Sequence, residues 1–155
     1  MINNEELIAV ACDHGGFALK GEILSHLDEE GIKYRDFGTY STDSCDYPDF
    51  AEAACLAVKS GECAKAILIC GTGIGISIAA NKIPGIRAAC CSDTFSARYT
   101  RMHNDANALC FGGRVVGAGL ACDMVDLFLE TEFEGGRHQK RIDKITALEE
   151  KYKDN

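Results

Sequence analysis

Short apolar segments alternate with longer amphipathic ones along most of the chain. The apolar segments are bounded by glycine or polar residues, a pattern typical of buried strands in a parallel sheet. The second of them is the weakest, which favours a position nearer the sheet edge. The five predicted strands are residues 7–12, 33–37, 64–70, 87–91 and 108–111.

The segments between these strands have the spacing of amphipathic helices. In the first of them Leu19, Ile23, Leu24 and Leu27 fall on one helical face, and Gly31 ends the helix. The six predicted helices are residues 17–30, 47–59, 76–83, 94–102, 116–129 and 137–153.

Strands and helices therefore alternate about five times. This order predicts a Rossmann-like α/β fold, a three-layer α/β/α sandwich around a five-stranded parallel sheet. No linker or repeat divides the chain, so residues 1–155 are expected to form a single domain. The C-terminal amphipathic helix, at about 137–153, is expected to dock either on its own domain or on a partner subunit.

Composition and charge narrow the possible functions. The chain is 46% hydrophobic and 26% charged, with a net charge of −8, which argues against a nucleic-acid partner. No run approaches the ~20 apolar residues of a membrane span, and the N-terminus lacks the features of a signal peptide. We therefore expect a cytoplasmic protein, in which a site for an acidic ligand needs a local basic cluster.

The nine cysteines contain no C-x-x-C spacing. Zinc-ribbon and thioredoxin-like functions therefore have no support, and most of the thiols are expected to be small buried apolar groups in a reducing compartment. No cluster has convincing metal-ligand spacing, so neither a metal nor another cofactor is predicted.

The most informative stretch is residues 66–77, in which an apolar strand runs into Cys70 and a glycine-rich segment. Gly71, Gly73 and Gly75 alternate with Thr72 and Ile74. Backbone amides at such a turn favour negative charge and a thiolate form of the cysteine. Cys70 is therefore a candidate base or nucleophile, the alternative being an inert core cysteine. The spacing is neither that of a dinucleotide fingerprint nor that of a P-loop.

Two further histidine motifs carry candidate chemistry. Asp13 and His14 follow the first strand and could share proton transfer or bind hydroxyl and phosphate groups. The alternative is that Asp13 caps the following helix and His14 is a solvated side chain. His103 and Asn104 follow the fourth predicted helix and suit acid–base chemistry and oxyanion stabilisation; a plain helix terminus is the alternative.

Arginines supply the candidate anion ligands. Arg137 and Arg141 are four residues apart at the start of the last helix, so both lie on one face and can form a fork for phosphate. Arg114, after the fifth strand, could add a third guanidinium. The alternative is a solvated basic face that pairs with the nearby Glu132 and Glu134.

Seven short motifs occur along nearly the whole chain in a specific order. They are residues 12–17 (CDHGGF), 46–48 (DYP), 67–77 (ILICGTGIGIS), 79–82 (AANK), 101–105 (RMHND), 111–117 (FGGRVVG) and 134–138 (EGGRH). Together they resemble the type B ribose-5-phosphate isomerases, a family that also includes galactose-6-phosphate isomerase subunits. The resemblance implies a metal-free aldose–ketose isomerase of the non-oxidative pentose phosphate pathway that interconverts ribose 5-phosphate and ribulose 5-phosphate.

The resemblance also implies roles for individual residues. The family uses a cysteine or a glutamate as base, and residues 75–77 contain no glutamate, so Cys70 is the expected base. His103, helped by Asp13, would open the sugar ring. The enediolate is expected to contact Asn104 and the backbone amides of Gly71, Thr72, Gly73, Ile74 and Gly75. The phosphate is expected to contact His14, Arg114, Arg137 and Arg141. Tyr47 is expected to contact the sugar.

Members of the family form homodimers with sites near the subunit interface, and some dimers pair into tetramers. We expect a homodimer here, with tetramer formation left open. The nearest alternative is the same reaction on a six-carbon sugar such as allose or galactose 6-phosphate. A nucleotide-binding module is poorly supported because Asp36 lies inside the second strand, and a Cys90–Cys91 redox sensor would require a strained pairing.

Overall fold

The computed structural model describes residues 5–154 and contains all eleven predicted elements. The strands are β1 (Ile8–Cys12), β2 (Tyr34–Asp36), β3 (Lys65–Cys70), β4 (Ala88–Cys90) and β5 (Ala108–Gly112). The helices are α1 (Phe17–Glu29), α2 (Tyr47–Lys59), α3 (Ile74–Ala80), α4 (Thr94–Asn104), α5 (Ala118–Glu130) and α6 (Arg137–Lys151). None of these helices is long and apolar enough to span a membrane.

The five strands form one parallel sheet in the order β2-β1-β3-β5-β4. This confirms the predicted Rossmann-like α/β architecture. The edge strands β2 and β4 have only three residues each, shorter than predicted, because each pairs along one side only. The central pairs place Cys12 opposite Ile69 and Cys70 opposite Gly112, so the carboxyl ends of β1, β3 and β5 are level.

Helices cover both faces of the sheet. On one face, residues of α1, α4 and α5 such as Ile23 and Phe128 pack against Ile67 and Phe111 of the strands. On the other face, small residues of α2 and α3 pack against Leu68 and its neighbours. Because alternate strand residues point to opposite faces, both cores use the same strands.

Helix α6 is only partly covered by its own chain. His138 and Ile142 are buried, whereas Ile145 and Leu148 remain 50% and 57% exposed. The carboxylate of Glu149 accepts hydrogen bonds from the Gly85 amide at 3.1 and 3.2 Å. The predicted apolar stripe therefore packs on its own domain at its first half. In its second half Glu149 is tied to Gly85, while Ile145 and Leu148 keep about half of their surface exposed.

All nine cysteines are free thiols, and several are deeply buried. Burial raises the pKa of Cys12 and Cys91 to about 11 and the pKa of Cys55 to about 12, from an ordinary value of 9.0. Burial also raises the pKa of Cys110 well above that value. The folded protein therefore holds these four protons more tightly than the unfolded chain does.

We expect the free energy of unfolding to fall as the pH rises from about 9 towards 11, because the unfolded chain releases thiol protons that the folded protein keeps. Each thiol contributes a slope of about 1.4 kcal/mol per pH unit in this window and nothing well below it. Urea unfolding with a reductant present, repeated across this range, measures the slope.

The Cys55→Ala variant is the control for this expectation, since its slope should be shallower by the contribution of one thiol. Tyrosines and lysines that also titrate in alkali affect both proteins equally. Identical slopes for the variant and the wild type would contradict the assignment of the effect to the buried thiols.

Candidate active site

Cys70 lies at the carboxyl end of β3 and is 4% exposed. Its Sγ accepts a hydrogen bond from the Gly73 amide at 3.1 Å. A sulfur acceptor gains most from such a donor when it is a thiolate, since charged hydrogen bonds are the stronger ones. The geometry therefore suits a cysteine that works as a base.

The glycines around Cys70 permit close packing that other residues would prevent. Gly73 has φ +82°, and a Cβ there would lie 2.6 Å from the backbone carbon of Phe111. A Cβ on Gly75 would lie 2.6 Å from the ring of Tyr47. Helix α3 begins at Ile74, two residues earlier than predicted, because Gly73 in its left-handed conformation supplies the N-cap.

Asp13 and His14 stand beside this turn. The carboxylate Oδ1 of Asp13 accepts hydrogen bonds from the amides of Gly15 and Gly16, at 2.9 and 3.2 Å, so Asp13 does cap a short helical turn. His14 Nδ1 accepts a hydrogen bond from the Cys45 amide at 3.2 Å. A neutral His14 therefore carries its proton on Nε2, where it can donate to a ligand.

Arg114 completes this group through backbone hydrogen bonds. The Gly113 amide donates to the Cys70 carbonyl at 2.8 Å, and the Arg114 amide donates to the Gly71 carbonyl at 3.1 Å. The Arg114 guanidinium lies over Gly71. An open pocket of about 630 Å³ is lined by Asp13, His14, Tyr47, Gly71 and Arg114 among others, and Asp46 and Asp49 also contribute to its wall.

His103 and Asn104 lie elsewhere. They form the last turn of α4, which extends two residues beyond its predicted end. The Asn104 carbonyl accepts a hydrogen bond from the side chain of Arg87, which lies just before the start of β4. Strand β5 begins at Ala108, four residues after Asn104. They therefore lie at the amino edge of the sheet, whereas Cys70 lies at its carboxyl edge.

The length of β5 separates these two edges by about 13–16 Å, at roughly 3.3 Å per residue. Within one chain, the structure thus does not bring His103 and Asn104 together with Cys70. This is the main difference from the arrangement that a single shared pocket would require.

A second group of polar residues surrounds His103. Its ring stacks on that of His138 with centroids 4.2 Å apart, and Tyr99 meets it edge-on. The Glu134 amide donates to the Met102 carbonyl at 3.1 Å, which ties the segment before α6 to the end of α4. The exposed Arg137 and Arg141 follow on α6, so they belong to this amino edge and not to the pocket of Arg114.

Burial lowers the pKa of His138, and the nearby His103 and Arg137 lower it further, while Glu134 opposes them. The sequence predicted no catalytic or ligand-binding role for His138 or Glu134, and Glu134 entered only as a possible ion-pair partner of the nearby arginines. The available signal was their i,i+4 spacing beside Arg137, which places both side chains on one helical face.

The predicted site residues therefore form two groups. We name the first the nest half-site; it comprises Asp13, His14, residues 70–75 and Arg114. We name the second the histidine half-site; it comprises His103, Asn104, Arg137 and Arg141. The two lie at opposite edges of the same sheet.

The sequence pattern of the Ribose/Galactose Isomerase family matches residues 8–145. The chain belongs to this family. A relative named ribose-5-phosphate isomerase B from Escherichia coli (strain K12) is 55% identical over 144 residues, which cover 93% of this chain and 97% of that protein. A ribose-5-P isomerase B from Listeria innocua is 42% identical over 144 residues, again 93% of this chain and 97% of that protein.

Solved structures of the family have the same fold as this chain. Ribose-5-phosphate isomerase B from Clostridium thermocellum superposes with a TM-score of 0.93 at 55% identity, covering 94% of this chain and 99% of that one. The isomerase B from Mycoplasma genitalium, solved with bound ribulose-5-phosphate, gives a TM-score of 0.88 at 42% identity, covering 93% of this chain and 96% of that one.

Proposed function

We propose that this chain is an aldose–ketose isomerase that interconverts D-ribose 5-phosphate and D-ribulose 5-phosphate. The observation that carries the proposal is the Cys70 sulfur held against the Gly73 amide, in a chain 55% identical to ribose-5-phosphate isomerase B of Escherichia coli. A family member 42% identical to this chain binds ribulose-5-phosphate, the ketose of the proposed pair.

The reaction moves one proton between neighbouring carbons of the open sugar. His103 acts as acid–base to open the furanose ring of ribose 5-phosphate, with Asp13 assisting. The Cys70 thiolate then removes the proton from carbon 2, and the electron pair of that bond forms the enediolate. The same proton returns to carbon 1 while the hydroxyl proton on oxygen 2 passes to oxygen 1, which leaves ribulose 5-phosphate with no net gain or loss of protons or electrons.

Two sets of groups stabilise the substrate during this transfer. The backbone amides of residues 71–75, together with Asn104, donate hydrogen bonds to the enediolate oxygen, and one such donor is typically worth about 3 kcal/mol. His14, Arg114, Arg137 and Arg141 hold the phosphate, far from the reacting carbons. This remote binding positions the sugar for the chemical step. Tyr47 contacts the sugar from the wall of the nest half-site.

A homodimer reconciles this mechanism with the separation of the two half-sites. A two-fold axis can bring the nest half-site of one subunit against the histidine half-site of its partner. The same symmetry then forms a second, identical site from the other two half-sites. Exposed apolar residues adjoin both half-sites. Ile74 in the nest half-site and Ile78 one turn further along α3 are each 57% exposed. Ile145 and Leu148 of α6, which line a pocket together with Asn104 of the histidine half-site, are 50% and 57% exposed.

Nine free thiols fit a cytoplasmic location, because that compartment keeps cysteines reduced. Pairing of dimers into tetramers is a separate question, which the molar mass in solution answers.

The first experiment measures conversion of ribose 5-phosphate to ribulose 5-phosphate with EDTA present. We expect full activity in EDTA and a kcat/KM for the pentose at least about tenfold above that for allose or galactose 6-phosphate, since an extra carbon misplaces the phosphate relative to the base. Higher kcat/KM on a hexose phosphate would overturn the choice of substrate. No turnover of any of these sugars would overturn the isomerase itself.

A further inference from the structure

Three potential metal ligands converge where the segment before α6 and the first turn of α6 pack against the end of α4. Ligand atoms of His103, Glu134 and His138 all lie within 4.8 Å of one another. The Glu134 Oε2 and His138 Nε2 atoms are 3.3 Å apart. Zinc bonds of about 2.0 Å in a tetrahedral site place neighbouring ligand atoms roughly 3.3 Å apart, so this pair already has the required separation.

The Nε2 atom of His138 is a second and independent sign of a ligand. The residue is only 5% exposed, and this nitrogen has no hydrogen-bond partner among residues 5–154. The approach of Glu134 lacks the direction of a hydrogen bond, although it is close enough for charge attraction. A buried nitrogen that faces a carboxylate outside hydrogen-bond geometry is poorly satisfied, which costs free energy, and a cation bound between the two groups would remove that cost.

We propose that His103, Glu134 and His138 bind a divalent transition-metal ion, Zn²⁺ being the best match to two imidazoles and one carboxylate. Water occupies the fourth position. His138 and Glu134 are already in place, and the half-buried His103 turns its ring out of the stack with His138 to supply the third ligand.

Zinc at this position inhibits the enzyme. Coordination occupies the nitrogen lone pair that His103 needs to move protons during ring opening. This consequence, but not the binding itself, rests on the proposed function. The site is therefore an inhibitory metal site in an isomerase whose own chemistry needs no metal.

The thiols are the competing ligands for zinc, and their position separates them from this site. Cys70 and the exposed Cys90 lie at the carboxyl ends of β3 and β4, whereas the histidine cluster lies at the opposite edge of the sheet. Co²⁺ distinguishes the two, because thiolate ligands add intense charge-transfer absorption in the near ultraviolet and imidazole and carboxylate ligands do not.

The test titrates the intact, reduced protein with Zn²⁺ in a calorimeter and with Co²⁺ in a spectrophotometer. The matched variants are Glu134→Gln, which removes one ligand, and Glu132→Gln, which removes the same charge from an exposed site two residues away. We expect one Zn²⁺ per chain, affinity reduced at least about tenfold in the Glu134→Gln protein and unchanged in the Glu132→Gln protein, and a cobalt spectrum without thiolate bands. Equal affinity in the two variants, or thiolate bands, would overturn the site.

Inhibition of isomerase activity by Zn²⁺ is measured in a separate experiment. Zn²⁺ should inhibit the wild type reversibly, with EDTA restoring turnover, and the inhibition constant should rise at least about tenfold in the Glu134→Gln protein only. Zinc binding in a protein that turns over none of the sugars would support the site and refute the proposed function. Isomerase activity without zinc binding would support the proposed function and refute the metal site.

Discussion

Replacement of Cys70 by serine should lower the isomerase kcat by about 10³-fold, because general-base catalysis is typically worth 10²–10⁴ and a serine hydroxyl does not ionise near neutral pH. The KM should change little, since the phosphate ligands are untouched. Serine is close in size to cysteine, and its Oγ can accept the hydrogen bond that the Gly73 amide now donates to sulfur. The fold should therefore survive, and steady-state kinetics of ribose 5-phosphate conversion measure the effect.

The control is Cys90→Ser. Cys90 ends the edge strand β4, which lies beyond β5 from Cys70. It is exposed, and its Sγ lies 3.9 Å from the Thr72 carbonyl, so it is close to the same turn. This variant should keep kcat close to the wild-type value, because no step of the proposed mechanism uses the Cys90 thiol. A Cys70→Ser protein that is folded and turns over within tenfold of the wild type would remove Cys70 as the base.

Mixed dimers should recover activity from two inactive parents. A heterodimer of one Cys70→Ser subunit and one His103→Gln subunit contains one site with both defects and one with neither, provided that each site is shared between subunits. Purified through two different tags, it should show about half of the wild-type turnover per dimer, since one of its two symmetry-related sites is intact.

Each parental homodimer, carried through the same purification, sets the background for this measurement. The doubly substituted chain mixed with wild-type subunits is the second control, because every site in that heterodimer carries one defect. A heterodimer as inactive as its parents would mean that Cys70 and His103 of one chain serve the same site, against the separation that β5 imposes.

The alternation of apolar and amphipathic segments was sufficient to predict the sheet and its helices. The prediction was least accurate where the chain has few partners. The strands β2 and β4 pair on one side only, so their ends depend on neighbouring loops more than on their own residues. The start of α3 was missed by two residues because a left-handed glycine, not a polar side chain, caps it.

The nest half-site could be predicted because its members follow strand ends that meet at one edge of the sheet, and residues 70–75 are contiguous. The histidine half-site could not be placed. Whether His103 and Cys70 of one chain can meet depends on where α4 ends relative to β5, which a local pattern does not contain, and the proposed dimer adds a second chain that the pattern does not contain either. The cluster with Glu134 and His138 requires the turn before α6 to fold back on α4.

The packing around Gly73 and Gly75 determines which amino-acid substitutions each position can accept during evolution, and the two positions differ in this respect. A side chain at position 73 would meet the backbone of Phe111, which cannot move without disrupting the sheet. Substitutions of Gly73 would therefore prevent folding and be removed by selection. A side chain at position 75 would meet the ring of Tyr47, which is partly exposed and can swing away. Lineages that lose Gly75 would therefore keep the fold and change how the pocket holds the sugar, and substitutions at positions 75 and 47 would tend to occur together.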